Sequence, residues 1–311
     1  MYDEYKTGRY FTSKPEEIES RVFFGDSYVK FINHGQNVED FATSTDKCIF
    51  EMRLYTDNFC VMNILDLINS SYTLLSCNVS MKAEDLRNYV LESQNESSVY
   101  RTLLMESAFT YGTQWYHASK MASKAYGTPK KEMAILKYHL AHTFYSLHPI
   151  DFELVNYDFD AAYFPSERLT FAYAIIDCYS ILEELNLNIK SGEPSTINEG
   201  SEWNPDVLED LTQRLEKNNI SAKGNIPWLN RGRYIRPFKS NLISSVNLCK
   251  WSDGKEIRDF EISVVDAISE LSFIRDKRAS HGVGDRVLEL ALEDLQNAFF
   301  LVRHILINYF K

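Results

Sequence analysis

The chain has 311 residues, 44% hydrophobic and 25% charged, with only 12 Gly and 8 Pro. That composition excludes a disordered or collagen-like chain, and the scarcity of turn formers favours helices. A formal charge of −11 argues against coating duplex nucleic acid by bulk electrostatics, so nucleic-acid chemistry here must rest on a local basic site.

The first residues, MYDEYKTGRYFTSKPEE, lack the apolar core of a secretory signal, and no run reaches the roughly 18 apolar residues of a membrane span. A cytoplasmic protein without a membrane partner is expected. Cys48, Cys60, Cys77, Cys178 and Cys249 are scattered and form no CxxC, which points to neither a disulfide framework nor a zinc site. Cys178, inside an apolar helical run, is expected in the core.

In chain order, residues 20 to 55 are rich in aromatic and β-branched residues with short alternations (RVFFGDSYVKFI, CIFEMRLYT), which predicts a small sheet. From Asp57, a candidate N-cap, the apolar residues Val61, Ile64, Leu65, Ile68, Tyr72 and Leu75 recur at helical spacing. Three further helices are predicted near 82–94, 97–125 and 129–147, the last two separated by Gly127 and Pro129. The aromatic and acidic segment from His148 to Glu167 reads as an irregular connection, so the domain organisation is expected to be 1–160, an α+β region, and 161–311, a helical bundle.

The second region opens with an apolar helix, ERLTFAYAIIDCYSILEELNL, followed by the turn-forming NIKSGEPSTINEGSEWNP and the amphipathic VLEDLTQRLEKN. NIPWLNRGRYIRPFKS then reads as a basic loop or extended segment. Ile262, Val265, Ile268, Leu271 and Ile274 mark one helix face, and Val287, Leu290, Leu295, Ala298, Val302, Ile305 and Tyr309 mark another. The fold class is therefore mainly α.

The stretch RDKRASHGVG, between the last two helices, holds the candidate chemistry. Arg275 offers a permanent cation whose planar donor fork matches phosphate oxygens. His281 can take or give a proton near neutral pH. Together they suit RNA cleavage without a metal or cofactor, because the ribose 2′-hydroxyl is itself the nucleophile. Residues six apart on a continuous α-helix point about 120° away from one another. The helix should therefore end near Ser280, with Gly282 and Gly284 releasing the backbone and Asp285 capping the next helix. The bland alternative is a helix end whose basic residues Arg275, Lys277 and Arg278 complement the dipole, with His281 as a capping residue.

An arginine followed by a polar residue and then a histidine, at the end of a long helix in a helical bundle, resembles the motif of the HEPN superfamily. Here it stands as Arg275, Asp276 and His281 within LSFIRDKRASHG, and the resemblance covers the chain from Glu167 onward. It implies a HEPN-like bundle and a metal-independent endoribonuclease, of a kind common among toxins and effectors of antiviral defence, working as a homodimer. In that picture Arg275 holds the phosphate, His281 transfers a proton or binds phosphate, and Asp276 orients a neighbour. The family also holds noncatalytic members, so a dimerising or partner-binding protein is the alternative.

RGRYIRPFK adds Arg231, Arg233, Arg236 and Lys239, interleaved with Tyr234 and Phe238, as candidate RNA contacts beside Lys277 and Arg278. His139, His142 and His148 invite a metal reading, but without a carboxylate at helical spacing an amphipathic helix is expected and no metal. The aromatics Phe23, Phe24, Tyr111, Trp115 and Tyr116 are expected in the core rather than in a base-stacking platform. The N-terminal region is expected to sense a trigger, bind an inhibitory or activating protein partner, or restrain the nuclease.

Overall fold

A computed structural model describes residues 2–4, 10–12, 21–33, 50–56, 60–76, 90–93, 99–103, 112–146, 165–190, 203–231, 257–280 and 287–311. The fold is mainly α, with antiparallel strands. Packing divides the chain into two compact units, Met1–His139 and Leu140–Lys311.

The first unit begins with a two-stranded pair, β1 (Tyr2–Glu4) and β2 (Tyr10–Thr12). Its main sheet holds β3 (Arg21–Phe24), β4 (Ser27–Asn33), β5 (Phe50–Tyr55), β6 (Val90–Ser93) and β7 (Val99–Leu103), in the order β3-β4-β5-β7-β6. Gly25, at φ +62°, makes the tight turn between β3 and β4 that a Cβ would strain. Helices α1 (Val61–Ser76) and α2 (Gly112–Ala125) pack on each other, and Tyr72 stacks on Trp115 at 4.1 Å between ring centres.

Alternation in the strands does what period-2 geometry requires. Val22, Phe24, Val29, Phe31 and Leu54 are buried, and Phe24 and Phe31 meet Tyr126 and Tyr116 edge-on. Phe23 points the other way and is 55% exposed. It is therefore no core residue, unlike Phe24, Trp115 and Tyr116; Tyr111 lies outside the described residues.

Two predicted helices need correction. Val90–Ser93 and Val99–Leu103 are strands of the main sheet, not parts of helices 82–94 and 97–125, and α2 starts only at Gly112. VLES and VYRTL carry β-branched and aromatic residues, and pairing to β5 and to each other supplies the hydrogen bonds that a helix would have made internally. Asp57 lies outside the described residues, whereas the helix predicted after it is present as α1.

Helix α3 (Pro129–Ser146) follows Gly127, which sits at φ +77° and donates its N–H to Glu132 Oε1 at 2.6 Å. The division between the units falls within α3, ahead of the 160/161 boundary expected from the sequence. The segment from 147 to 164 lies outside the described residues.

The second unit contains α4 (Pro165–Glu184), α5 (Pro205–Lys217), β8 (Asn225–Arg231), β9 (Ile257–Ser263), α6 (Val264–Ile274) and α7 (Leu292–Tyr309). Its core includes Phe171, Ile175, Cys178 and Leu182 from α4, Val265, Ile268 and Leu271 from α6, and Leu295, Ala298, Val302 and Ile305 from α7. Burial pushes the Cys178 thiol well above its ordinary range, as suits a core residue. Ile262, expected on the α6 face, instead belongs to β9, and Ser263 caps α6 by accepting from the Asp266 N–H.

The ribbon of β8 and β9 was not expected as such. Its outer edge at Leu229 is closed by Asn297 of α7, whose Oδ1 accepts from the Leu229 N–H at 2.7 Å and whose Nδ2 donates to the Leu229 carbonyl at 2.8 Å. The amide thus imitates a neighbouring strand. Pro227, two residues earlier on the same edge, has no N–H to satisfy. Among the described residues no helix is long and apolar enough to cross a membrane.

Candidate functional site

At the end of α6 the helix does not simply stop. Arg275–Ala279 forms a π-helical turn, closed by the Ser280 N–H donating to the Arg275 carbonyl at 2.8 Å, five residues back. Such widened turns insert one extra residue into the helical ladder and often occur at functional sites. Ser280 is the last described residue before 287, so His281, Gly282, Gly284 and Asp285 lie outside the described residues.

Arg275 is held on three sides. One terminal nitrogen donates to Asp276 Oδ1 at 2.7 Å and the other to Glu183 Oε1 at 2.8 Å, while its guanidinium carbon lies 4.1 Å from the centre of the Tyr179 ring. Its side chain remains 29% exposed. Tyr179 and Glu183 are four residues apart on α4 and so share one face, which is how a single helix offers both an aromatic plane and a carboxylate to the same cation. Burial raises the Tyr179 phenol above its ordinary range, against the lowering effects of its Ser272 contact and of Arg275.

Glu183 lies in the last turn of α4, where a carboxylate opposes the helix dipole. Arg275 offsets that unfavourable position. Because both partners are substantially exposed, the ion pair contributes only about 0.2–1 kcal/mol, and the ring contact about as much again.

Arg278 lies 3.7 Å from Glu289 and 3.6 Å from Asp294, while Lys277 is exposed. Asp294 also accepts from the Ala291 N–H at the start of α7, and Arg168 of α4 donates to the Leu290 carbonyl at 2.7 Å. The described part of the cluster thus sets four cations, Arg168, Arg275, Lys277 and Arg278, against the carboxylates of Glu183, Asp276, Glu289 and Asp294. It is nearly charge-balanced, not a basic groove.

The predicted RNA contacts are only partly within view. Arg231 is the last residue of β8, with no description of its side chain; Arg233, Arg236 and Lys239, with Tyr234 and Phe238, lie outside the described residues. Of the histidines suspected of metal binding, His139 pairs its Nδ1 with Thr73 Oγ1 at 2.8 Å, and burial lowers its pKa. His142 is buried with its ring stacked on Phe299 at 4.0 Å, and His148 lies outside the described residues. Among the described residues no three His, Cys, Asp or Glu side chains gather as a metal site.

The sequence signal missed Tyr179 and Glu183. Their i, i+4 spacing on an apolar helix was legible, but the pairing with Arg275, ninety-two residues away from Glu183, is a tertiary fact. No protein-family model matches the chain, and no curated protein or solved structure matches it.

Proposed function

We propose that the second unit is a metal-independent endoribonuclease of the HEPN type, acting as a homodimer in the cytoplasm, in the class of toxins and antiviral-defence effectors. The observation that carries this reading is the state of Arg275: a guanidinium clamped in orientation by Tyr179, Asp276 and Glu183, still part-exposed, at a π-turn two residues beyond which the sequence places His281. A preoriented cation loses little freedom on meeting a phosphate, and two of its five N–H donors are engaged by the two carboxylates.

In this reading the 2′-hydroxyl oxygen attacks phosphorus, the bond from phosphorus to the 5′-oxygen breaks, and a 2′,3′-cyclic phosphate and a 5′-hydroxyl result. His281 of one protomer accepts the 2′-hydroxyl proton and that of the partner supplies one to the leaving oxygen, because a single imidazole serves poorly as base and acid at once. Arg275 neutralises charge on the phosphorane oxygens, Asp276 positions Arg275, and Lys277, Arg278, Arg231, Arg233 and Arg236 extend the contact along the strand. The test is digestion of a single-stranded RNA in EDTA by the wild-type chain, Arg275→Ala and His281→Ala. Loss of cleavage in both variants supports the reading; intact RNA with wild type, or equal cutting by both variants, overturns it.

A second reading is favoured by the pairing of Arg275 with two carboxylates. On that view the arginine is a tie between α4 and the π-turn, and the bundle is a noncatalytic dimerisation or partner-binding module. It predicts loss of thermal stability in Arg275→Ala with no RNA cleavage in any variant.

A further inference from the structure

The register of the main sheet in the first unit aligns a line of basic residues across four strands. Register aligns Arg21 with Lys30, Lys30 with Arg53, and Arg53 with Arg101, so four basic residues stand opposite one another across β3, β4, β5 and β7. Like charges directly opposite on neighbouring strands are destabilising. The only acid at the face positions of the four strands is Glu51, one register step beyond Arg53.

Two residues along each strand, on the same face, runs a second row. Phe23 is aligned with Tyr28, Tyr28 with Tyr55, and Tyr55 with Val99. Tyr28 and Tyr55 stack at 4.5 Å and 13°, Phe23 adjoins Tyr28 at 5.8 Å, and the Arg21 guanidinium lies 5.2 Å from the Tyr28 ring centre. The column is open at Phe23, on the edge strand β3, where the ring is 55% exposed. The opposite face of the sheet, with Val22, Phe24, Val29, Phe31 and Leu54, is the buried one.

We infer that this face binds single-stranded nucleic acid, with phosphates at Arg21 and Lys30, which begin the row, and a base continuing the column at Phe23. Neighbouring strands are about 4.8 Å apart, so the cation row spans roughly 14 Å, and the two rows lie about 7 Å apart. That is the scale of a few nucleotides and of the separation between a base and its own phosphate. A duplex would offer the phosphates but no exposed base face. An acidic peptide or an anionic membrane would use the cations and leave the aromatic column idle. The surrounding unit is slightly acidic, with 15 basic against 18 acidic residues through His139, so binding depends on this row rather than on net charge. The site is separate from Arg275 and does not depend on the nuclease reading.

The experiment is fluorescence anisotropy of labelled U12 and dT12 with the full chain carrying His281→Ala, in EDTA, with competition by a 12-base-pair RNA duplex, poly-glutamate and phosphatidylserine vesicles. Expected are binding of both single strands, weak competition by the other three, and a loss of about tenfold or more for Phe23→Ala. Arg21→Gln with Lys30→Gln should weaken binding and flatten the slope of log affinity against log salt by about 1.4. The same double variant should melt no lower than the parent chain, because it removes like-charge opposition. U12 bound far more tightly than dT12 would make the ligand RNA; equal binding would make it either strand. Unchanged affinity in both variants, a melting loss in the double variant, or equal competition by duplex, peptide or vesicles would overturn the inference.

Discussion

Arg275 lies over the ring of Tyr179 while donating to Glu183, one helical turn further along α4. A cation, an aromatic plane and a carboxylate thus form one unit, and the same contacts that tie α4 to the π-turn also hold the arginine in a single orientation. Stability and phosphate binding draw on the same guanidinium. Substitutions that loosen one partner at a time separate the two roles.

Glu183→Gln should remove a charge that competes with phosphate, while its amide oxygen can still accept from Arg275 and keep it oriented. In the nuclease reading, RNA cleavage in EDTA rises several-fold while the melting temperature drops slightly, in line with an exposed ion pair worth about 0.2–1 kcal/mol. Arg275→Lys should recover little activity beyond that of Arg275→Ala, since lysine keeps the charge but loses the planar fork. Cleavage by the lysine variant equal to wild type would show that only charge matters.

Asp266 is fully buried near the start of α6, and among the described residues no cation lies beside it. Its carboxylate accepts from Trp203 Nε1 at 2.7 Å and from the Ser263 hydroxyl. Burial raises its pKa above the ordinary 3.8, against the lowering effect of those two bonds. A carboxyl whose pKa is higher folded than unfolded binds more protons in the native state, so its contribution is full below about pH 3.8 and is lost as pH rises through the folded value. Asp266→Asn should therefore flatten the decline of urea stability above pH 4. Asp266→Ala should cost about 1–3 kcal/mol by leaving the Trp203 N–H unpaired. An unchanged pH profile in the asparagine variant would contradict the assignment.

Asn297 closes the outer edge of β8 with two hydrogen bonds to Leu229. Asn297→Leu keeps the volume and leaves both backbone groups without a partner, at about 1–3 kcal/mol for each. The measurement is urea denaturation with light scattering alongside. Increased association at high protein concentration is expected as well, because an open strand edge can pair with another chain.

Gly127 occupies φ +77° with nothing within 4 Å of where a Cβ would lie. Gly127→Ala should thus cost only the left-handed backbone penalty, about 1–2 kcal/mol, and Gly127→Asn less. A thermal melt that ranks glycine, asparagine and alanine in that order supports the account; a larger loss would mean crowding that this geometry does not contain.

Much of the helical architecture was legible in the sequence because burial imposes a period. Val265, Ile268 and Leu271, or Leu295, Ala298, Val302 and Ile305, must fall on one side of a helix if that side is to leave water, and all of them are buried. The helix break at Gly127 and Pro129 was legible because few residues tolerate that backbone angle or start a helix as proline does. Val90–Ser93, Val99–Leu103 and Ile262 were misassigned because a short apolar run satisfies a helix or a strand equally well until a pairing partner is known.

The sequence alone determined that Arg275 stands at a helix end, because the charge, the small residues and the glycines of RDKRASHGVG leave few other conformations. It could not determine what that arginine touches. Tyr179 and Glu183 reach it only through the packing of α4 against the end of α6, and Arg21, Lys30, Arg53 and Arg101 become a row only through the register of four strands. Local pattern records which face of an element avoids water. Which faces then meet is set by long-range packing and pairing, and both candidate sites of this protein are built from such meetings.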